Sequence, residues 1–386
     1  MRWKTLACAA ALLWVPFGAV AAPLTLSEAM RLAESASPAV RSREAQLSAA
    51  EGLQREAGRP LFNNPALTLE GGRRTADGVD GRAKEWAVGV AQPIELGGQQ
   101  SRRREAAAAG LEALRAEIED TRRQARADAA TRFSAVATAE RRVRLERRST
   151  EMFDSVSQAV AKRRSAGEDT RLDANVAVVE AERSRNALAV ATEQLLQARS
   201  ELATALQLPP DMLPEVESGP VAVQGEPAPY TLVRLLASTE SLPKLRALVA
   251  REEAARARLA VERGNRYPDV TVGLATAREG FRDGRERLTT LSVSIPLPLF
   301  KRNEAAIGQG LTEVTQAEVE RVTATRDAQA QVRRLWSRLQ SQRERVLRLQ
   351  RSMLPASADN LQLAARSRQA GQIGLLDQLE IGRAHV

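Results

Sequence analysis

The sequence predicts an α+β membrane protein in which long coiled-coil helical hairpins join four membrane-crossing β-strands, laid out as an internal tandem duplication. Landmarks recur in order at a shift of about 204 residues: Pro38 and Pro243, Pro65 in Asn64-Pro65-Ala66-Leu67-Thr68 and Pro268 in Tyr267-Pro268-Asp269-Val270-Thr271, Pro93 and Pro296, and Ala166-Gly167 through Leu172-Asp173 against Ala370-Gly371 through Leu376-Asp377. Four matches in order at a nearly constant shift mean duplication. Two alternating segments of strand length stand at the same place in each copy. Each copy then carries a helical stretch of about 65 residues with apolar positions at coiled-coil spacing.

Residues 1–21 read as a secretory signal peptide, with Arg2 and Lys4 at the start, an apolar run from Leu6 to Val20, and Ala19-Val20-Ala21 as a small-x-small cleavage site. The run is too short for an anchoring helix. Cys8 precedes most of that run and is badly placed for lipid attachment. The mature chain is therefore expected to have no cysteine, hence no disulfide and no thiolate metal site.

The first repeat spans residues 22–206. Residues 26–57 read as helix, interrupted at Pro38, begun by the cap-like Leu24-Thr25-Leu26-Ser27-Glu28 and ended by Gly58-Arg59-Pro60. Leu67 and Leu69 alternate with Ala66, Thr68 and Glu70, and Trp86, Val88 and Val90 alternate with Ala87, Gly89 and Ala91. A helix over residues 100–164 follows, with Leu111, Leu114, Ile118, Ala125 and Phe133 as a loose seam, then a turn at Gly167 and a returning helix to residue 206. Residues 207–229 hold six prolines and read as an irregular linker.

The second repeat, residues 230–379, repeats this order. A helix over 231–263 is broken near Pro243 and stopped by Gly264-Asn265. Val270, Val272 and Leu274 alternate with Asp269, Thr271 and Gly273, and Leu291, Val293 and Ile295 with Thr290, Ser292 and Ser294. The helix over 303–368 carries the seam Val332, Leu335, Leu339, Val346, Leu349 and Met353. This repeat reads as incomplete, because the shift would carry its returning helix to about residue 410. Residues 380–386, with the single histidine His385, read as a non-native tail of the kind a common sequencing-library adapter encodes.

Each strand has about the ten residues a tilted strand needs to cross a membrane, with one apolar and one small or polar face; a soluble sheet with one face on a core has the same periodicity. The formal charge is +9, from 57 basic and 48 acidic residues interleaved along helices, and aromatics are 3%. Interleaved charge describes solvated helix faces, and without a basic block or stacking aromatics no nucleic-acid partner is expected. An enzyme would need a cluster of acid, base or metal ligands, and the carboxylates are dispersed, so no catalytic residue, cofactor or metal site is assigned. Four strands cannot close a barrel, and an open sheet edge is not tolerated in lipid. Membrane-spanning strands would have to be pooled by several copies, with the helical hairpins forming a tube beneath. A periplasmic coiled-coil scaffold would explain the helices but leaves the paired strands unexplained.

Over residues 26–379 the chain resembles the TolC-like outer-membrane efflux family. The resemblance is carried by Gln92-Pro93-Ile94-Glu95-Leu96-Gly97-Gly98-Gln99 with Arg102, Arg103 and Arg104, by Ser294-Ile295-Pro296-Leu297-Pro298-Leu299-Phe300-Lys301-Arg302-Asn303, and by the two Ala-Gly-x4-Leu-Asp turns. The Ile-Glu-Leu-Gly-Gly and Pro-Leu-Pro-Leu-Phe forms are most similar to the heavy-metal branch, the cobalt–zinc–cadmium efflux channels. The resemblance implies a homotrimer with one twelve-stranded β-barrel in outer-membrane lipid and one periplasmic α-barrel. It further implies a periplasmic adaptor (membrane fusion protein) and an inner-membrane RND transporter as partners, and divalent metal cations, or alternatively drugs or other small organic solutes, as cargo.

The same resemblance places the periplasmic aperture and the adaptor-docking surface at the two turns. Gly167 and Gly371 would take positive φ, Leu172 and Leu376 would seat adaptor tips, and Asp173 and Asp377 would form carboxylate rings that favour cations. Helix capping is the competing role for both aspartates. Some relatives carry an arginine where this chain has Ile373, so no latch through that position is carried over.

Overall fold

The computed structural model describes residues 23–75, 83–217, 230–280 and 284–374. The signal segment, residues 218–229 of the linker, Leu376, Asp377 and the 380–386 tail lie outside the described residues. The described residues are mostly helical with one small sheet. In order along the chain are α1 (Leu26–Ala36), α2 (Pro38–Ala45), α3 (Leu47–Ala57), β1 (Ala66–Arg74), β2 (Ala83–Ile94), α4 (Gln99–Ser165), α5 (Arg171–Ala205), α6 (Leu232–Ser238), α7 (Pro243–Gly264), β3 (Val270–Glu279), β4 (Glu286–Ser294), α8 (Glu304–Arg348) and α9 (Leu354–Gln369).

Proline sets several of these boundaries. Pro38 and Pro243 stand in the first turn of α2 and α7, where a missing N–H costs nothing and the fixed φ suits the helix. Pro355 does not end its helix, as residues 303–368 read as one run. It is accommodated by a π-helical turn, Leu349–Met353, in which the N–H of Leu354 bonds the Leu349 carbonyl. The extra residue per turn frees the carbonyl that the proline ring would strike.

The four strands form one antiparallel sheet in the order β1-β2-β3-β4. Leu67, Val90, Leu274 and Leu291 make a single row across all four strands, and Thr68, Gly89, Ala275 and Thr290 make the next. Side chains alternate between faces along a strand, so the alternations read from the sequence fall in register with their neighbours, save Asp269 and Ile295, which lie just outside β3 and β4.

Two compact units divide the described chain, and α4 contributes to both: residues 23–33 with 128–217, and the remainder. In the first unit Ala29 and Ala33 of α1, Ala129, Phe133, Val136 and Ala137 of α4, and Leu202 and Leu206 at the end of α5 form one buried cluster. Small residues let the helices approach closely, so a coiled coil of few helices still has a buried seam. Farther along, the hydroxyls of Thr150 and Ser184 lie 3.1 Å apart inside the α4–α5 hairpin. A bridge between Leu24 and Val216 closes this unit.

In the second unit α7 lies along α8. Glu252 is buried and accepts from Arg256 and, at 2.5 Å, from Arg321. That hydrogen bond raises the Arg321 pKa above its ordinary value. Arg122 of α4 bonds Glu44 of α2 at 2.6 Å, which raises its pKa likewise.

Candidate functional site

Two places hold the functional candidates: the sheet and the helix-to-helix turns. On one face of the sheet Leu67, Leu69, Trp86, Val90, Leu274, Leu291 and Val293 are 43 to 72% exposed. Val272 stands opposite Val293, and Val88 lies on the same face. The other face carries Thr68, Gly89, Thr271, Gly273, Ala275 and Ser292. Among the described residues nothing pairs with the outer edges of β1 and β4. A large apolar face and two free edges together are costly in water, and each calls for a partner.

Where strands give way to helices, a polar knot ties corresponding segments together. The Gln99 amide donates to the Tyr267 carbonyl at 3.0 Å and to Asp269 at 3.4 Å. Asn63 donates to the other Asp269 oxygen at 3.3 Å, and Gln92 donates to the Asn63 carbonyl at 2.8 Å. Gln99 is 2% exposed. Arg103 pairs with Glu95 and lays its guanidinium 3.6 Å over the Phe62 ring. In the sequence Gln99 is only the last residue of the Gln92–Gln99 motif, and nothing local shows that its partners are some 170 residues away.

The first turn contains Gly167, Leu172 and Asp173. Gly167 has φ +82°, and Glu168 N–H bonds the Arg163 carbonyl, closing α4 with a left-handed glycine cap. Arg163 also pairs with Glu168 at 3.3 Å and Asp169 at 3.5 Å. Asp173 completes a capping box: its carboxylate accepts from the Thr170 N–H at 3.1 Å and hydroxyl at 2.6 Å, while its own N–H bonds the Thr170 hydroxyl. Leu172 beside it is 66% exposed.

The second turn repeats this backbone pattern. Gly371 has φ +74°, and Gln372 N–H bonds the Ser367 carbonyl at 2.8 Å. Ser367, Gln372 and Ile373 replace Arg163, Glu168 and Asp169, so the residues that make the ion pairs of the first turn are not repeated in the second. No helix of the described residues is long and apolar enough to cross a membrane. Nor does any group of three or more His, Cys, Asp and Glu side chains among them have the arrangement to hold a metal ion.

The chain is 29% identical over 371 residues to the cobalt-zinc-cadmium resistance protein CzcC of Cupriavidus metallidurans, covering 94% of this chain and 84% of that one. Its fold is similar to the outer-membrane channel OprN, with TM-score 0.75 and 20% identity over 93% of this chain and 84% of the other. It is likewise similar to CusC, with TM-score 0.74 and 18% identity over 93% and 86% of the two chains. For the outer membrane protein VceC of Vibrio cholerae the TM-score is 0.73 and the identity 17%, over 93% and 89%. The model of the outer membrane efflux protein family matches residues 29–207 and 237–384. The chain belongs to the outer membrane efflux protein family.

Proposed function

We propose that this protein is the outer-membrane exit channel of a tripartite efflux pump and that its cargo is divalent heavy-metal cations. The observation that carries the channel reading is the amphipathic sheet with two open edges. An open edge cannot stay unpaired in lipid, and four strands are too few to close on themselves. Three copies would join β4 of one to β1 of the next and close a twelve-stranded barrel, apolar face outward and polar face toward water. The helical hairpins would then surround a periplasmic tunnel. The two strand pairs, each following short helices and preceding a long one, are read as halves of a duplicated ancestor.

The metal reading rests on the likeness to a cobalt-zinc-cadmium resistance protein. Conduction needs no resident metal site: a wide polar path with acidic rings suffices to favour cations. Leu172 and Leu376 are assigned to adaptor docking and Asp173 and Asp377 to the aperture, with an inner-membrane transporter supplying the driving force. Residues 1–21 serve export and are removed.

Deleting the gene in its host and measuring growth on zinc, cobalt and cadmium tests this reading. Sensitivity to these cations, restored by the gene, is expected. Unchanged metal tolerance with sensitivity to organic drugs would keep the channel and replace its cargo.

A further inference from the structure

The segment that leads from β4 into α8 is the most exposed apolar stretch of the described chain: Ile295, Leu297 and Leu299 are 51, 72 and 66% exposed, and Phe300 is 97% exposed. It prolongs the apolar face of the sheet, since Leu291 and Val293 precede Ile295 at the same alternation. Against it lies an open cleft lined by Arg266, Pro268, Pro296, Leu297, Phe300 and Lys301. Arg266 and Lys301 form no hydrogen bond or ion pair with the described residues.

The backbone here suits a poorly hydrated boundary. Pro296 and Pro298 have no N–H to leave unsatisfied, and the Leu299 N–H bonds the Leu297 carbonyl at 2.8 Å. The corresponding first-half turn is built differently, with Glu95 held by Arg103 and Arg103 covering Phe62. The opposite end of the apolar face carries its own aromatic and cations, because Trp86, Arg278 and Arg287 share one row. An apolar band ended on both sides by an aromatic ring and by cations that pair with no described residue is the pattern of a surface crossing a bilayer, rings at the headgroup level and cations on phosphates.

We infer that Leu297, Leu299 and Phe300 insert at the inner edge of the outer membrane, and that the cleft between Arg266 and Lys301 takes the phosphate headgroup of an anionic phospholipid. The inference rests on the membrane-barrel reading above.

The test uses Trp86→Phe/Trp336→Phe protein reconstituted into phosphatidylethanolamine bilayers with a minority of phosphatidylglycerol, one lipid at a time carrying brominated acyl chains. Phe300→Trp reports on the segment and Val293→Trp on the sheet face. Both reporters are expected to be quenched, and Phe300→Trp more by brominated phosphatidylglycerol than by an equal amount of brominated phosphatidylethanolamine. Adding Arg266→Gln and Lys301→Gln should abolish that preference while Val293→Trp quenching stays unchanged.

Quenching of Val293→Trp with solvent-like, unquenched Phe300→Trp emission would overturn the inference and leave the barrel intact. Blue-shifted but unquenched Phe300→Trp emission would assign the segment to a neighbouring copy instead. Equal quenching by the two lipids would overturn the headgroup site. Failure of both reporters to quench would remove the barrel reading along with it.

Discussion

Val272 of β3 stands directly opposite Val293 of β4, and one step along each strand Gly273 stands opposite Ser292. Adjacent rows of one sheet thus present branched apolar side chains on one face and small or polar ones on the other. In the proposed barrel the valine row meets lipid and the glycine–serine row meets water. Val272→Arg or Val293→Arg should cost about 2–4 kcal/mol near the bilayer midplane. The same change at Thr271 or Ser292 should preserve insertion and alter conductance. Folding into vesicles, followed by protease protection, measures the difference. Equal tolerance on both faces would contradict a membrane-crossing sheet.

How much of this was legible in the sequence depends on the range of each interaction. The alternation over β1 to β4 and the helix breaks at Pro38 and Pro243 are local, and they stand where the residues place them. The π turn before Pro355 was not legible, because an interior proline can end, kink or be absorbed by a helix depending on tertiary restraint. The Gln99–Asp269 knot joins segments far apart in the chain, and sequence patterns carry no record of such pairings. Asp173 allowed two readings; the structure establishes its capping role through Thr170, which spacing alone had left open.

That capping role separates fold from conduction in a simple way. Asp173→Ala removes the carboxylate half of the capping box while the residue-173 N–H still bonds the Thr170 hydroxyl, and should destabilise the start of α5 by about 0.5–1 kcal/mol. Asp173→Asn keeps an oxygen for the Thr170 N–H but loses the charge. Thermal unfolding should therefore fall for the alanine variant and stay near the parent for asparagine. If Asp173 also forms an acidic ring, asparagine lowers cation over anion selectivity in planar bilayers. Unchanged selectivity would restrict Asp173 to capping.

Leu172, exposed beside that cap, is assigned to adaptor contact. Leu172→Asp should leave membrane insertion intact while abolishing in vivo cross-linking to the adaptor and resistance to the cargo. Wild-type resistance and cross-linking in this variant would return Leu172 to an ordinary exposed helix position.

Gln99 is predicted to hold the strand-to-helix joint. Gln99→Leu strips Asp269 and the Tyr267 carbonyl of a donor at a part-buried joint, a loss of about 1 kcal/mol. Hydrogen exchange should accelerate around residues 97–100 and 265–269 while the α4–α5 hairpin keeps its protection. Uniform protection in the variant would show that the knot adds nothing to the joint.

The central claim is that several copies of this chain pool their four strands to make one membrane channel. The native mass of the protein extracted from outer membranes in mild detergent tests it most directly. Three chains per particle, dispersed only while detergent is present, is the predicted result. A monodisperse monomer that remains soluble without detergent would contradict it.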